Sequence, residues 1–198
     1  GNSSDLMNAI AFSAVNSSIV FARVKSSSIS VTASAKKSVS VAVGVSIANN
    51  EIDDDLATYV NNTGILQTDS GNVSVYAQEN ANIDSITSAT AISIGISASG
   101  GAKSFSGGGA IAVNLIKGNA NAYISNSDTD SAGTITISAY NNSDILARVN
   151  SSAVAIALSA SGTTAGGAIG ISLARNTIAY DRDYEYESTP WAGPYNDY

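Results

Sequence analysis

The stretch Ser38-Val-Ser-Val-Ala-Val-Gly-Val-Ser-Ile47 decides the fold of this 198-residue chain. Every second residue in it is Val or Ile, and the residues between them are Ser, Ala or Gly. A period of two with many β-branched residues predicts a β-strand. The same texture returns along the chain, so we predict strands almost throughout, at residues 27–35, 90–98, 134–139, 154–159 and 169–173 as well.

The second member of each alternating pair is small, and only 13% of the residues are charged. Small residues on the second face of a strand indicate that this face also lies close to other protein. Clusters of Gly and Asn punctuate the strands, and both residues adopt positive φ at low cost, so they predict tight corners. Such clusters occur at residues 49–50, 61–64, 70–72, 100–101, 107–109, 118–119, 141–142 and 166–167.

Internal similarity is the strongest signal in the sequence. The apolar elements at residues 42–48, 110–116 and 168–174 resemble one another, and a looser copy begins at Ala9. The segments between them repeat too: residues 57–62 resemble 121–126, and 71–77 resemble 133–139. We therefore divide the chain into a β-repeat array, residues 1–174, whose modules restart near 9, 42, 110 and 168, and an acidic, Tyr-rich insertion or tail, residues 175–198.

A module of about 60 residues with several short strands buries its faces by stacking on its neighbours. The sequence therefore predicts an all-β fold, a parallel β-solenoid (β-helix) repeat array. A β-sandwich or a stack of hairpins is the alternative, with residues 91–99 and 110–116 as one hairpin. Because a solenoid interior is narrow, we expect Ala, Val, Ile and Gly at the inward positions, and the acids outside on loops and tail.

Three elements of the repeat carry a family resemblance. They are Gly-Gly-Ala-Ile-Gly-Ile-Ser-Leu-Ala-Arg-Asn (166–176), Ala-Tyr-Ile-Ser-Asn-Ser (122–127) and Gly-Thr-Ile-Thr-Ile-Ser-Ala (133–139). The chain resembles the repeat segments of giant bacterial surface and secreted proteins, the leukotoxin-like and haemagglutinin-like adhesins. The resemblance implies an extracellular or cell-surface location and a non-catalytic stalk or display segment of a large adhesin.

The alternative function is that of a subunit in a self-assembling extracellular filament. The sequence starts and stops within a module, so we expect a fragment of a longer repetitive polypeptide or one processed unit of a fibre. In a fibre, the next subunit would complete the half-module by stacking head to tail. Self-association with neighbouring repeats or subunits is expected in both cases.

Composition excludes several kinds of chemistry. Without His or Cys, the chain has no His-based dyad, no ordinary zinc site and no disulfide. A net charge of −7 argues against binding to nucleic acid, and no apolar run is long enough to predict a transmembrane segment. No acidic residue falls inside a strand pattern, and Asp84 and Asp144 come closest, at a repeated corner. We expect no enzyme, and a polysaccharide-acting β-helix enzyme is the least favoured function.

Two groups of residues are candidate sites. Acidic loops can bind Ca²⁺ through oxygen ligands, but no recognised calcium loop occurs, so solvated charge is favoured over a weak calcium site, and no other cofactor is expected. The calcium candidates are Asp53, Asp54, Asp55, Asp128, Asp130, Asp181 and Asp183. Six of the ten Tyr and Trp residues form an aromatic tail that would cover apolar surface, contact a neighbouring subunit, or bind carbohydrate or a host surface. They are Tyr180, Tyr184, Tyr186, Trp191, Tyr195 and Tyr198.

Overall fold

The computed structural model describes residues 8–179, and within that range the secondary structure consists of nine β-strands. The same range holds no helix that is long and apolar enough to cross a membrane. The strands are β1 (Ile10–Ser34), β2 (Ser38–Asn61), β3 (Ile65–Thr68), β4 (Val73–Ser97), β5 (Ala102–Ser125), β6 (Asp128–Ser131), β7 (Ile135–Asn141), β8 (Asp144–Ser159) and β9 (Thr164–Ala179).

All the strand pairs are parallel, and paired residues lie 62 to 64 positions apart in the chain. One sheet contains β1, β4 and the pair β7 and β8, a second contains β2, β5 and β9, and a short third contains β3 and β6. The chain is therefore a parallel β-solenoid, and the prediction of an all-β repeat fold is confirmed. The hairpin alternative is wrong, because β4 and β5 belong to different sheets.

The register aligns some of the repeated elements and displaces others. Tyr59 lies beside Tyr123, and Val73 lies beside Ile135, as the sequence comparison also aligns them. Ala42, however, lies beside Ser106, four residues before the start of the apolar element at 110. The displacement arises because a sequence of alternating Val, Ile, Ala and Gly still matches itself after a shift of two or four residues. Its similarity therefore indicates which residues share a face, but not which residues are paired between strands.

Short corners connect the two long sheets. The corner between β4 and β5 uses Gly100 and Gly101, with φ values of 89° and 94°. A Cβ at Gly101 would lie 2.5 Å from the backbone oxygen of Thr163 in the next turn, so stacked corners leave no room for a side chain there. At the opposite end of the sheets, Asn62 and Asn126 occupy matching corners with φ values of 56° and 47°. The Gly and Asn clusters at 61–64, 70–72, 100–101 and 141–142 lie at strand ends and corners, as predicted. The prediction of corners is wrong for the clusters at 49–50, 107–109, 118–119 and 166–167, which lie within β2, β5 and β9.

The solenoid has two halves with different interiors. We call one the wide half: it includes the short third sheet and holds the apolar core. Its two clusters consist mostly of large apolar side chains. One contains Ile52, Ile83 and Ile116 with Ala81, and the other contains Val60, Leu66, Val73 and Val75. Ile83, Ile116, Val73 and Val75 have no exposed surface. The outward positions here are mostly polar, as in an ordinary half-solvated sheet.

The narrow half comprises residues 26–48, 89–112 and 151–174, on either side of the corners at 35–37, 98–101 and 160–163. Its inward positions hold Ser, Ala and Gly, with Thr at positions 32 and 164. Hydroxyl groups bridge the sheets: Ser104 Oγ donates to Ser93 O at 2.8 Å, and Ser106 Oγ donates to Ala91 O at 2.7 Å. A Cβ at Gly44 would lie 2.8 Å from Thr90 O in the facing sheet. The two backbones therefore approach too closely for larger side chains.

The expectation that Val and Ile point inward is wrong for the narrow half. In β2, the even positions from Ser38 to Ala48 are buried, and the Val and Ile residues between them are exposed. The physical reason is the sheet spacing. Layers linked by direct bonds between a hydroxyl group and a backbone oxygen have space for small side chains only, so the valines and isoleucines face outward. The small face does lie against other protein, as predicted.

Candidate functional site

The acidic candidates of β2 do not converge on one point. Strand alternation directs Asp53 and Asp55 outward and Asp54 inward, so the three carboxylates lie on opposite faces of one sheet. Asp53 is 3.8 Å from Lys117 Nζ, and the same amine donates to Glu51 Oε1 at 2.7 Å, a bond that raises the pKa of Lys117. Glu51 and Asp53 thus form an ion-pair group with Lys117 on the surface.

The other predicted sites lie on a third sheet or beyond the described range. Asp128 and Asp130 are exposed on β6, and Asp130 Oδ2 accepts a hydrogen bond from Gln67 Nε2 at 3.2 Å. Within residues 8–179, no group of three or more acidic side chains is arranged to hold a metal ion. Two calcium candidates and all six aromatic-tail residues lie outside the described residues: Asp181, Asp183, Tyr180, Tyr184, Tyr186, Trp191, Tyr195 and Tyr198.

Sequence reasoning missed a polar cluster inside the wide half. Glu79 on β4 has no exposed surface and accepts hydrogen bonds from Asn16 Nδ2 at 3.1 and 3.3 Å. The same amide nitrogen donates to Asp54 Oδ2 at 3.0 Å, and Ser18 Oγ donates to that oxygen too. Asp54 and Glu79 thus lie on facing sheets with Asn16 between them. The prediction that no acidic residue falls inside a strand is wrong at both positions, and also at Glu51, Asp53, Asp55 and Asp84, which lie within β2 and β4.

The surroundings of Glu79 favour its protonated form. Burial raises the pKa of the Glu79 carboxyl, the hydrogen bond from Asn16 lowers it, and the nearby charge of Asp54 raises it, with a net upward shift from 4.5. Gly118 makes room for this cluster, because a Cβ there would lie 3.4 Å from Glu79 Cγ. With no exposed surface, the Glu79 carboxyl has no contact with a substrate in solution. The cluster can change stability with pH.

The signal for Glu79 was present in the alternation. The inward positions of β4 read Val73, Val75, Ala77, Glu79 and Ala81, so a charged residue occurs in phase with the core. Asp84 and Asp144 differ from Glu79. The predicted corner is wrong for Asp84, which lies in the middle of β4, points outward and is 3.4 Å from Arg148 Nη1, while Asp144 is exposed at the start of β8. These two residues belong to the polar surface of the wide half.

Stacked side chains repeat from turn to turn. In the interior, Asn50 Nδ2 donates to Asn114 Oδ1 at 2.7 Å, and Asn114 Nδ2 donates to Asn176 Oδ1 at 2.8 Å. On the surface, the rings of Tyr59 and Tyr123 stack with centroids 5.1 Å apart and planes 6° apart. In such ladders, identical residues of neighbouring turns interact with one another, so buried amides have hydrogen-bond partners and aromatic rings cover each other. The ladders also stabilise the register of neighbouring turns.

The outer surface of the narrow half is apolar on the sheet of β2, β5 and β9. We call this surface the apolar face. Its exposed fractions run from 55% at Val45 to 63% at Val43 on β2, and reach 68% at Ile169 on β9. Its members are Val39, Val41, Val43, Val45 and Ile47 of β2, Phe105, Gly107, Gly109 and Ile111 of β5, and Ile169, Ile171 and Leu173 of β9.

The opposite surface of the narrow half is apolar over a shorter length. There, Ile29, Ile92 and Val154 form one row across β1, β4 and β8. Val31, Ile94 and Ile156 form the next row, and Ala33, Ile96 and Leu158 form the last. Contiguous exposed apolar surfaces of this kind mark interaction sites in soluble proteins.

Comparison with known proteins finds no matching family model, no matching curated protein and no matching solved structure. These comparisons neither support nor contradict the adhesin resemblance of the repeats.

Proposed function

We propose that this protein is a non-catalytic stalk or display segment of a large extracellular surface adhesin. Its mechanism is mechanical: backbone ladders run along the solenoid axis, interior side chains hold the turns in register, and the outer surface is left for contacts. The observation that carries the proposal is the repetition of side-chain ladders through successive turns, as in Asn50, Asn114 and Asn176. Repeated positions favour a structural role, because a catalytic site needs its residues once.

A change in the number of turns tests the stalk. Inserting a second copy of residues 73–134 after Thr134 adds one complete turn in register. The particle should lengthen by about 4.8 Å along the solenoid axis, the spacing of neighbouring strands, and should melt no lower than the parent chain. Small-angle scattering and circular dichroism measure both. If the variant unfolds, or if its dimensions do not change, the protein is not a stalk that lengthens with each added turn.

Adhesion is tested separately. Beads coated with the chain should be retained on some member of a panel of glycan-coated and matrix-protein-coated surfaces, while beads coated with albumin pass through. Hydrolysis of polysaccharides by the purified chain would replace the stalk proposal with the enzyme. Retention no greater than that of albumin would leave a purely structural segment and overturn the adhesive part.

A filament subunit is the second candidate, and one observation favours it. Among the described residues, β1 and β2 pair on one edge only, as do β8 and β9 at the other end of the stack. Open edges of long strands pair readily with other strands. In β1, Ile10 N and Ser34 O form hydrogen bonds to the second turn. The backbone N–H and C=O groups of the even residues therefore point towards β4, and those of the odd residues point towards the open edge.

Proline at an odd position tests the filament. Ser27→Pro removes a donor from the open edge of β1, so it should stop head-to-tail growth while the fold survives. Ser28→Pro is the matched control, because it removes a donor to β4 and should lower the melting temperature. Electron microscopy of the parent should show regular fibres, and Ser27→Pro should show none. A parent that forms no fibres at high concentration rejects the filament and leaves the stalk.

A further inference from the structure

We propose that the apolar face is a docking surface for a second copy of this chain, with the two copies related by a two-fold axis and running antiparallel. This inference goes beyond the proposed function, because a stalk needs no lateral partner. It rests on the shape of the face, on the charges at its ends and on the contrast with the opposite face.

The apolar face has a ridge beside a trough. The register places Val43 next to Gly107 and Val45 next to Gly109. A Cβ at Gly107 would meet no atom within 4 Å, and one at Gly109 would meet only Val45 Cγ2, at 3.9 Å. The space above the two glycines is therefore open, while the neighbouring valines project with exposed fractions of 63% and 55%.

A ridge and a trough on adjacent strands are self-complementary. With the two-fold axis between β2 and β5, the Val43 and Val45 ridge of each copy lies over the Gly107 and Gly109 trough of the other. Such an isologous contact uses the same surface patch twice. Val43 of one copy then faces Gly109 of its partner.

The charges at the two ends of the face support the antiparallel arrangement. Near the corners lies a basic end, and none of the ion pairs among the described residues involves its lysines: Lys36, Lys37 and Lys103. At the far end, three carboxylates outnumber the neighbouring cations Lys117 and Arg175. These carboxylates belong to Glu51, Asp53 and Asp55. The two-fold axis brings the basic end of each copy onto the acidic end of the other.

Charge also selects the position of the axis. With the axis between β2 and β5, Lys103 of one copy lies near Asn49 and Glu51 of the partner. An axis between β5 and β9, centred on the same glycines, would turn the strands end for end, so position 103 of one copy would lie at the level of Val113 of the partner. Because Arg175 lies beside Val113 in the register, Lys103 would then meet Arg175. The first arrangement places Lys103 near a carboxylate. It also places Lys37 over Leu115, near Lys117, but the amine of Lys117 is neutralised by Glu51 and Asp53 of its own chain. The second arrangement brings Lys103 onto Arg175, which takes part in none of the ion pairs among the described residues.

The opposite surface of the narrow half lacks these features. Its central row on β4 holds Ile92, Ile94 and Ile96, so no trough runs along it. Its neighbouring charges are those of Arg23, Lys25 and Arg148, together with Asp84, which is paired with Arg148 within the chain. Basic side chains outnumber acidic ones there and two copies would have no trough to fill, so this surface serves as the matched control.

The expected dimer is weak. Two overlapping strands are about 10 Å wide, and about 13 residues of length give about 40 Å, so each copy buries roughly 400 Å² in projection. This is about half of the roughly 800 Å² per partner in a standard interface. Association of three turns should therefore depend on concentration, so a covalent trap is the suitable readout.

Cysteine cross-linking tests the arrangement, because the chain has no native Cys. All measurements use the Ser27→Pro background, which separates lateral pairing from head-to-tail growth. Val43→Cys with Gly109→Cys should give a cross-linked dimer on mild oxidation. Val39→Cys with Gly109→Cys has the wrong register on the same face, and Val43→Cys with Ile94→Cys spans both faces, so each should react at least tenfold more slowly.

Two further variants test the cause. Lys103→Glu should slow cross-linking of the Val43 and Gly109 pair several-fold at low salt, with the difference shrinking at 1 M salt, where charges are screened. Gly107→Val fills the trough and should also slow it several-fold, with an unchanged melting temperature. Equal rates for the three cysteine pairs, no dimer from the matched pair, or no effect of either variant would overturn the proposal.

Membrane binding is the competing occupant of an apolar face. The chain should stay in solution when it is mixed with vesicles of phosphatidylcholine and phosphatidylglycerol and floated in a density gradient. Flotation that Val43→Thr with Val45→Thr abolishes would assign the face to lipid and overturn the dimer.

Discussion

The narrow and wide halves use the same alternation for opposite purposes. In β4, the odd residues point inward along the whole strand. From Val73 to Ile83 the inward residues include the large apolar ones, whereas from Ala89 to Ser97 they are small and the isoleucines point outward. Along this one strand, the large apolar residues therefore change from the inward to the outward positions, although the odd positions point inward throughout.

This difference shows that residue size, rather than hydrophobicity, sets the inward face where two sheets are close. Burial of Val and Ile would favour the opposite orientation by about 1.5–3 kcal/mol per side chain. This free energy of burial is outweighed by three features of the narrow half: the closely spaced backbones, the bridging hydroxyl groups and the short corners. The apolar groups left outside then become the means of contact with a partner.

The largest expected effect comes from breaking the wide half. Ile83→Ala leaves a cavity in a cluster with Ile52 and Ile116 and should lower the free energy of unfolding by about 2–5 kcal/mol. Ile94→Ala makes the same chemical change on the outer surface of the narrow half and should cost less than about 1 kcal/mol. Denaturation with urea, followed by circular dichroism, measures both, and equal losses would contradict the assignment of faces.

The next effect comes from forcing the narrow half apart. A Cβ at Gly108 would lie 2.8 Å from the backbone oxygen of Ser152, so Gly108→Val should lower the free energy of unfolding by about 1–3 kcal/mol. Its neighbour Gly107 points outward into open space, and Gly107→Val should change stability by no more than about 0.5 kcal/mol. If both variants melt together, the sheets are not in contact.

A smaller effect should follow from removing one bridge between the sheets. Ser104 Oγ donates to Ser93 O and lies 2.8 Å from Ser93 Oγ, and all of these groups are buried. Ser104→Ala should cost about 1 kcal/mol, the usual loss for a buried hydrogen bond. Ser27→Ala, at an exposed position, is the control. A neutral result at Ser104 would show that close packing alone holds the layers.

The smallest effect should be a pH dependence of the wide half. Because the pKa of Glu79 is raised above 4.5, the folded state binds more protons than the unfolded state between the two pKa values. The free energy of unfolding should therefore fall as pH rises through that window, and stay lower at neutral pH. Glu79→Gln keeps an acceptor for Asn16, so it should raise the melting temperature at pH 7 and flatten the profile.

A control identifies the source of that slope. Asp128→Asn changes an exposed carboxyl on β6 and should leave the profile of the parent chain intact. Thermal melts from pH 4 to pH 8 compare the three chains. A Glu79→Gln chain that keeps the slope of the parent would assign the pH dependence to another group.

Much of the fold could be predicted from local patterns. The alternation at residues 38–47 indicated strands, and the repeated elements indicated stacked turns. Only four of the eight Gly and Asn clusters mark corners, because the other four lie within long strands. The register of the apolar elements could not be read, because a shift by four residues preserves their alternation. The Tyr59 and Tyr123 match was more reliable, since aromatic residues are rare here and the alignment at that position has one solution.

The candidate site was harder to predict. Asp53, Asp54 and Asp55 look like one cluster in the sequence, but a period of two places Asp54 on the other face. Glu79 was overlooked because a single acid among apolar residues carries no motif. Its environment depends on Asn16 and Asp54, which lie 63 residues before it and 25 residues before it in the chain, and no local pattern relates such distant positions.

The sequence by itself determined that the chain forms strands and that each strand has two alternating faces, because these depend on neighbouring residues. Only the tertiary structure decided which face is inside. That choice depends on the distance between two sheets, which is fixed by contacts such as those of Gly44 with Thr90 and of Ser104 with Ser93. Close spacing admits Ser, Ala and Gly, and the valines and isoleucines that first indicated a core instead form the outer surface.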